Sequence, residues 1–232
     1  PFSSIIQILK TKKSFWFLSL GGASASMMTY GLLFWFPSFL VRSFKAELVT
    51  FFSWLPSFML PTDPSPVLFV SYFYGLILLV GGIAGIWLGA VVSDKLGETD
   101  KTIYGRAPAY SFIATIPFFL IGILSNSLII VFFSFMIIQA LSFVMMGPLV
   151  SSLQHIVGPN MRATTSAIAL FINNLVGIGL GNLLIGILSD VLSAQFAEEA
   201  LRYSIASGVI FYIFAAILFL YAARNLESDW QD

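Results

Sequence analysis

The sequence predicts an all-α integral membrane protein with six transmembrane helices. Of its 232 residues, 58% are hydrophobic and only 9% are charged, and the mean hydropathy is +0.94. Soluble proteins carry about 25% charged residues, so this composition indicates that the surrounding solvent is lipid. A helix needs about 20 apolar residues to cross the hydrocarbon core. Six stretches meet this requirement, and we number them spans 1 to 6: residues 15–40, 67–92, 107–124, 128–150, 163–188 and 204–223.

The basic residues predict the orientation of these spans. With six spans both termini lie on one side, and eight of the eleven lysines and arginines fall on that side; the three others are Arg42, Lys45 and Arg202. Cytoplasmic loops carry the excess of lysine and arginine. We therefore expect cytoplasmic termini. The membrane of this multi-pass protein is expected to be a bacterial inner membrane. Residues 1–14 form a cytoplasmic segment that leads into a six-helix domain over residues 15–232, and the start at Pro1, without a methionine, suggests an interrupted loop.

One loop interrupts the regular succession of spans. Residues 46–66 follow span 1 and include the apolar and aromatic stretch Leu48–Leu60, which contains Pro56 and is too short to cross the membrane. Apolar segments of this length lie in the interface or re-enter the membrane. We predict an insertion in the outer interface, and a re-entrant segment is the alternative.

The composition excludes several classes of function. Eleven basic and eleven acidic residues cancel, so nucleic acid is not an expected partner. There is no cysteine, which excludes disulfides and thiolate metal sites, and we expect neither a metal nor a cofactor. Asp94 and Asp190 are predicted at opposite membrane faces, and no HExxH motif or usable serine and histidine pair is present. We therefore expect no enzyme, and an intramembrane enzyme is only a remote alternative.

Span 5 repeats part of span 2. Five residues of span 2 recur 96 residues later, as Gly85, Leu88, Ser93, Asp94 and Leu96 are followed by Gly181, Leu184, Ser189, Asp190 and Leu192. Because Asp94 is predicted on the cytoplasmic side and Asp190 on the outer side, the repeat is inverted. Two three-helix units of opposite topology build one half of a major facilitator fold. The predicted fold is therefore a 3+3 inverted repeat that forms such a half.

Polar and aromatic residues inside spans 1, 4 and 5 are the candidate substrate-binding residues. Amides are costly in hydrocarbon, so adjacent asparagines in span 5 indicate contact with protein or with a polar cavity. Packing between helices is the alternative for the amides and the aromatic residues. The candidates are Met27, Tyr30, Phe34, Gln139, Phe143, Asn173 and Asn174.

A loop motif after span 2 resembles the signature of the major facilitator superfamily. The pattern Ala90-x-x-x-Asp94-Lys95-x-Gly97 is similar to Gly-x-x-x-Asp-Arg/Lys-x-Gly. Ala90 stands where the first glycine is usual, and Glu98 and Thr99 stand where basic residues would follow. This degenerate form resembles the weaker version in the second half of these transporters.

Within that superfamily, most of the chain resembles the Spinster-like transporters. The segment FWFPSFLVR, with Trp35, Pro37 and Arg42, is similar to the end of their seventh helix, and Gly82 to Asp94 is similar to their eighth. The most specific match is Pro159 to Asp190, which resembles their eleventh helix, although Asn182 stands where a proline is usual. From the resemblance and the repeat we assign gating or structural roles to Trp35, Pro37, Arg42, Gly85, Gly89, Asp94, Lys95, Arg106, Arg162, Gly177, Gly181 and Asp190.

The resemblance implies the C-terminal half of a secondary active or facilitative transporter that works by alternating access. Its substrate would be an amphipathic lipid such as a lysolipid, or an organic anion. The implied partners are membrane lipid and the missing N-terminal six-helix half. Protons are included only if that half supplies the acid, because no ionisable residue lies deep in these spans. A self-sufficient six-helix protein that homodimerises into a channel or carrier is the alternative.

Overall fold

The computed structural model describes residues 2–53, 55–56, 65–97 and 99–231, and every regular element in these ranges is helical. Eleven α-helices occur there: α1 Phe2–Thr11, α2 Lys13–Phe51, α3 Pro66–Leu76, α4 Gly82–Leu96, α5 Ile103–Leu124, α6 Leu128–Phe143, α7 Met146–His155, α8 Arg162–Val176, α9 Asn182–Phe196, α10 Ala200–Ser207 and α11 Val209–Asp229. Single π-helical turns, Ile77–Gly81 and Gly177–Gly181, join α3 to α4 and α8 to α9.

These helices form the six spans. Spans 1 and 3 are α2 and α5, whereas spans 2, 4, 5 and 6 combine α3 with α4, α6 with α7, α8 with α9, and α10 with α11. Five continuous helical runs are long and apolar enough to cross a membrane, and the last, Pro159–Asp229, contains both span 5 and span 6. The chain reverses between them at Ala197, whose φ of 47° ends α9.

Span 1 is longer than the sequence predicts. Helix α2 continues to Phe51, and its backbone departs from helical geometry only at Phe44, where φ is −138° and ψ is 26°. Residues 46–51 of the predicted interfacial insertion therefore continue this helix beyond the distortion. Residues 57–64, most of the remaining insertion, lie outside the described residues, so its interfacial placement stays a prediction.

The packing of spans 2 and 5 follows the inverted repeat. A methyl group added at Gly85 would contact the carbonyl oxygen of Ala140 in span 4, and one added at Gly181 would contact that of Met27 in span 1. Gly181 follows Gly85 by 96 residues, and Ala140 follows Met27 by 113. Small residues allow helix backbones to approach this closely. Span 2 thus packs against span 4 through a glycine in the same way as span 5 packs against span 1.

The same register holds one turn to either side of these contacts. Gly81 lies against Gln139 as Gly177 lies against Ser26, and Gly89 lies against Val144 as Ile185 lies against Gly31. Each pair of equivalent residues keeps the offset of 96 or 113. The predicted inverted repeat is therefore present in the packing.

Spans 3 and 6 pack against each other through aromatic side chains. Phe112 stacks on Tyr212 and on Phe219, with ring centroids 5.7 and 5.9 Å apart, and Phe119 meets Tyr212 edge to face at 5.6 Å. All four side chains are at most 1% exposed. Burial and edge or offset stacking of aromatic rings both stabilise such a contact.

Candidate functional site

A hydrogen bond between Tyr30 and Asn174 joins span 1 to span 5. The Tyr30 hydroxyl donates to Asn174 Oδ1 at 2.8 Å, and Asn174 Nδ2 donates to the Leu170 carbonyl one turn earlier at 2.9 Å. Asn174 is exposed and Tyr30 is half-buried. The contact brings together two of the predicted substrate-binding residues at a surface that protein does not cover in the described part of the chain.

Tyr30 and both asparagines line a cavity of about 260 Å³ between spans 1, 4 and 5, which we call the amide cavity. One part of its wall is polar and consists of Ser26, Tyr30, Gln154, Ser166, Asn173 and Asn174. The remainder is aliphatic or methionine, as at Met145, Met146, Leu149, Val150, Leu153 and Leu170. A cavity with these two kinds of wall fits an amphipathic molecule.

Asn173 differs from its neighbour in its surroundings. It is only 9% exposed and lies against Gly22, where an added methyl group would be 3.0 Å from its Oδ1. Within the described residues Oδ1 has no hydrogen-bond partner. This oxygen is enclosed against Gly22, so Asn173 lies in the packed contact between spans 1 and 5 as well as beside the amide cavity.

Tyr30 also lines a second cavity, of about 170 Å³, with Gln139 and Phe143. We call it the glutamine cavity. Spans 1, 2, 4 and 6 contribute to its wall, which includes Leu78 and Tyr212. Tyr30 therefore lies between the two clusters of predicted substrate-binding residues. None of the described side chains that line either cavity carries a charge.

The structure places Met27 and Phe34 elsewhere. Met27 is 9% exposed, and its backbone lies in the close contact with Gly181. Phe34 is 51% exposed on span 1, and neither side chain is among those that line the two cavities. The backbone of Met27 takes part in the packing of span 1 against span 5, and a role of Met27 and Phe34 in substrate binding stays a prediction.

Trp35 anchors span 1 to the second half of span 5. Its Nε1 donates to the carbonyl oxygen of Asn182 at 3.0 Å, and its ring covers Gly186, where an added methyl group would be 2.8 Å from Cζ2. Asn182 follows the π turn directly. Span 5 thus has an irregular turn just before Asn182, the position at which the resemblance leads us to expect a proline.

Other residues predicted to act in gating lie at the ends of the spans. Pro37 and Arg42 line a groove of about 280 Å³ with Val67 and Val70 of α3, at the end of span 1 that we predict to be on the outer side. Asp94, Lys95 and Asp190 are exposed, and none of the three has an ion-pair partner in the described ranges. The geometry leaves these carboxylates available to a partner surface.

Arg106 lies in the first turn of α5, directly after the loop between spans 2 and 3. Its Nη1 lies 3.3 Å from Asp100 Oδ2, and both side chains are exposed. The side chain and the amide of Thr102 donate to Asp100 Oδ1 at 2.6 and 2.9 Å. These two hydrogen bonds, with a smaller contribution from the charge of Arg106, hold the pKa of Asp100 below its usual value.

Arg162 opens α8 and is half-buried. Its Nε is buried and has no hydrogen-bond partner among the described residues. Ser166, one turn later, lies in the amide cavity, so Arg162 lies on the same helix face at the end that we predict to be cytoplasmic.

Several residues of the two cavities are absent from the sequence-based set. Ser26, Gln154 and Ser166 contribute polar atoms to the amide cavity, and Tyr212 lines the glutamine cavity. Ser26 lies one turn before Tyr30, and Ser166 lies two turns before Asn173. Helical spacing could therefore have predicted that both serines lie on the cavity face of their helices. Gln154 and Tyr212 come from other spans, and only the fold brings them to the site.

A ring cluster closes the end of the bundle that carries both termini. Trp230 stacks on His155 with centroids 4.7 Å apart and on Tyr104 at 5.1 Å, and Lys101 Nζ lies 5.1 Å from its centroid. Asp229 Oδ2 accepts hydrogen bonds from the Ser14 amide and hydroxyl at 2.9 and 2.7 Å. A carboxylate at the start of α2 is stabilised by the helix dipole.

Comparison with known proteins relates this chain to one group. It is 28% identical to protein spinster homolog 3 of Danio rerio over 98% of its length, and 25% identical to protein spinster homolog 1 of Homo sapiens over 97%. These alignments cover 46% and 43% of the relatives, so the chain spans about half the length of the curated relatives it matches. No family model matches.

Solved structures agree with this relationship. Two are of a bacterial homologue of the human lysosomal transporter Spinster, both inward-facing. The alignment with the occupied form has a TM-score of 0.77 and 25% sequence identity, and it covers 95% of this chain and 51% of that structure's chain. The alignment with the unoccupied form has a TM-score of 0.81 and 24% sequence identity, and it covers 100% of this chain and 52% of that structure's chain. The predicted resemblance to Spinster-like transporters and the predicted fold, one half of a major facilitator fold, are confirmed.

The name of a further relative also states an activity. An MFS-type efflux pump of Mycolicibacterium smegmatis is 25% identical over 63% of this chain. Where the names of the similar proteins state an activity, they describe a transporter or a pump. This agrees with the expectation that the chain is not an enzyme. The chain is an integral, multi-pass membrane protein.

Proposed function

We propose, since the chain is Spinster-like in sequence and in fold, that it is the C-terminal six-helix half of a transporter that works by alternating access. It is inserted in a bacterial inner membrane, and the distribution of its basic residues supports cytoplasmic termini. The two halves of such a transporter move about a site near the middle of the membrane. The N-terminal six-helix half is then the partner that completes the substrate path.

The observation that carries the proposal is the hydrogen-bonded pair of Tyr30 and Asn174 between two cavities. An amide and a phenol exposed at an otherwise apolar helix surface require a polar neighbour in the bilayer. Their mutual hydrogen bond leaves further donor and acceptor capacity on both groups. In the transporter, this capacity serves the substrate.

The chemistry of the cavities favours an amphipathic substrate, either a lipid such as a lysolipid or an organic anion. Methionine and leucine side chains would cover its apolar part, and Asn173, Asn174 and Tyr30 would bind its polar group. Because the cavity walls described here carry no charge, the N-terminal half would supply the cation for an anionic group. It would also supply the titrating acid if transport is coupled to protons.

The test is an uptake assay of the complete transporter, carrying both halves, against a panel of lysolipids and organic anions. Asn174→Ala, Tyr30→Phe and Gln139→Ala should each lower uptake of the transported substrate by about tenfold, which corresponds to the loss of one hydrogen bond in a dry site. Uptake that is unchanged in all three variants for every transported substrate would overturn the assignment of the site.

Asn225→Ala is the matched control. Asn225 Nδ2 donates to the Tyr221 carbonyl one turn earlier at 2.7 Å, as Asn174 does to Leu170, but Asn225 lines neither cavity. Its uptake should equal that of the unmodified transporter. Sizing in detergent shows whether this chain alone forms a homodimer, which is the alternative. A homodimer of this chain that is active in the uptake assay would replace the two-half proposal.

A further inference from the structure

A third cavity, of about 380 Å³, lies at the end of the bundle that we predict to be cytoplasmic, away from the substrate cavities. It is bounded by the amphipathic helix α1, the first turn of α2 and one face of α8. Its lining is apolar apart from Thr164, and includes Ile6, Leu9, Phe15, Trp16, Ala167 and Phe171. We call it the α1 cavity. Its apolar walls fit a hydrocarbon chain rather than a polar metabolite.

The depth of this cavity corresponds to the membrane interface. Trp16 is 39% exposed, and its Nε1 donates to the Leu9 carbonyl at 3.1 Å, so the indole bridges α1 and α2. Tryptophan is enriched at the headgroup level of membranes. An amphipathic helix with apolar residues on one face and lysine at its end lies in the plane of that interface.

The lysines around α1 differ in whether they form hydrogen bonds or ion pairs. Lys12 Nζ donates to the carbonyl oxygen of Asp229 at 2.8 Å and is close to its carboxylate. Lys10 and Lys13 are exposed, and within the described residues neither forms an ion pair. Lys10 directly follows the lining residue Leu9, and Lys13 lies one turn before the lining residue Trp16, so both cations are close in sequence to the wall of the α1 cavity. This combination complements a lipid that has an anionic headgroup.

We propose that the α1 cavity binds an acyl chain of an anionic phospholipid of the cytoplasmic leaflet, and that Lys10 and Lys13 bind its headgroup. The lipid is a bound regulator or structural component and not the transported substrate. It fastens α1 to α8, the helix that carries Asn173 and Asn174, so occupancy of this site couples the composition of the leaflet to the position of the substrate-binding helix.

The experiment measures quenching of Trp16 by brominated lipids in reconstituted vesicles. The vesicles contain phosphatidylcholine with a minor fraction of phosphatidylglycerol, and the bromine is carried on the acyl chains of one or the other. The contribution of Trp16 is the difference between the unmodified protein and Trp16→Phe. Brominated phosphatidylglycerol should quench Trp16 in preference to brominated phosphatidylcholine at equal mole fraction.

Variants then distinguish the contribution of the lysine charges to lipid binding from that of the apolar cavity. Lys10→Gln with Lys13→Gln should lower the preference for phosphatidylglycerol by about fivefold for each lysine removed, and Lys10→Arg with Lys13→Arg should keep it. Lys45→Gln, an exposed lysine at the other end of α2, should leave it unchanged. Ala167→Phe fills the cavity and should reduce quenching of Trp16 while circular dichroism shows an unchanged helix content.

Equal quenching by the two brominated lipids in the unmodified protein would overturn the proposal. So would a preference that survives removal of both lysines. Protection of Trp16 from both lipids in the complete transporter would show that protein covers the cavity instead. None of these outcomes bears on uptake through the amide cavity, so this proposal and the proposed function fail independently.

Discussion

The two equivalent interfaces of the repeat differ in polarity. At the interface of spans 1 and 5, Tyr30 donates to Asn174 and Trp35 donates to the backbone of Asn182. The offsets of 113 and 96 residues relate Tyr30 to Phe143 and Asn174 to Leu78 at the interface of spans 2 and 4. One interface thus carries a phenol and an amide where the other carries a phenyl ring and a leucine.

The comparison separates packing from function. Both interfaces place backbone against glycine, at Gly85 and at Gly181, so the fold does not require a polar pair to seat one helix on another. The polar pair is additional, and it occurs only on the side that forms the amide cavity. The interface of spans 2 and 4, which has Phe143 and Leu78 in place of this pair, therefore acts as an internal control for the role of Tyr30 and Asn174.

The largest effect is expected where the two interfaces agree. Gly85→Ala and Gly181→Ala should each lower the free energy of unfolding by about 3 kcal/mol, since the new methyl group meets a backbone carbonyl oxygen that cannot move aside. Unfolding in detergent, followed by circular dichroism, measures this change.

Gly75→Ala and Gly179→Ala are the controls, one in span 2 and one in span 5. An added methyl group meets nothing within 4 Å at either position. Alanine is favoured over glycine in a helix by about 1 kcal/mol, so both variants should be as stable as the unmodified protein or more stable. A similar loss in all four variants would disprove the close contacts.

A smaller effect is expected at Trp35. Trp35→Phe keeps an aromatic ring over Gly186 but removes the hydrogen bond to Asn182, and should lower the free energy of unfolding by about 1 kcal/mol. Trp87→Phe in span 2 is the control, because Trp87 is 63% exposed. Equal losses in the two variants would show that ring size, and not the hydrogen bond, determines the effect.

The smallest effect concerns the coupling between Tyr30 and Asn174. A double-mutant cycle of Tyr30→Phe and Asn174→Ala should give an interaction free energy of about 0.6 kcal/mol, the average for hydrogen bonds between membrane helices. The parallel cycle of Tyr30→Phe with Asn225→Ala should be additive, because the residues are distant. No coupling in the first cycle would remove the polar difference between the interfaces.

The sequence predicted the membrane class, the six spans and the inverted repeat because each leaves a local or periodic signal. Length and hydropathy define a span, and the recurrence of Gly85 as Gly181 defines the register. Tyr30, Asn173 and Asn174 were identifiable as candidates because polar residues are conspicuous in apolar helices.

Other features depend on which surfaces meet. The close contact of the Met27 backbone with Gly181 is one of them, because the sequence of span 1 does not show which of its faces meets span 5. The helical continuation to Phe51 lay in a stretch whose aromatic residues suit a helix and an interface equally. The stacking of Trp230 on Tyr104 and His155 joins residues separated by 126 and 75 positions, for which helical periodicity gives no signal.

The two π turns have a consequence for how the protein changes shape. Each turn widens a span near its middle, at Ile77–Gly81 in one repeat and at Gly177–Gly181 in the other. A helix that is already irregular at one point can alter its bend there while the regular hydrogen bonding of its two ends is preserved. The two π turns are therefore the positions, one in each repeat, at which spans 2 and 5 can bend with the least loss of regular hydrogen bonding.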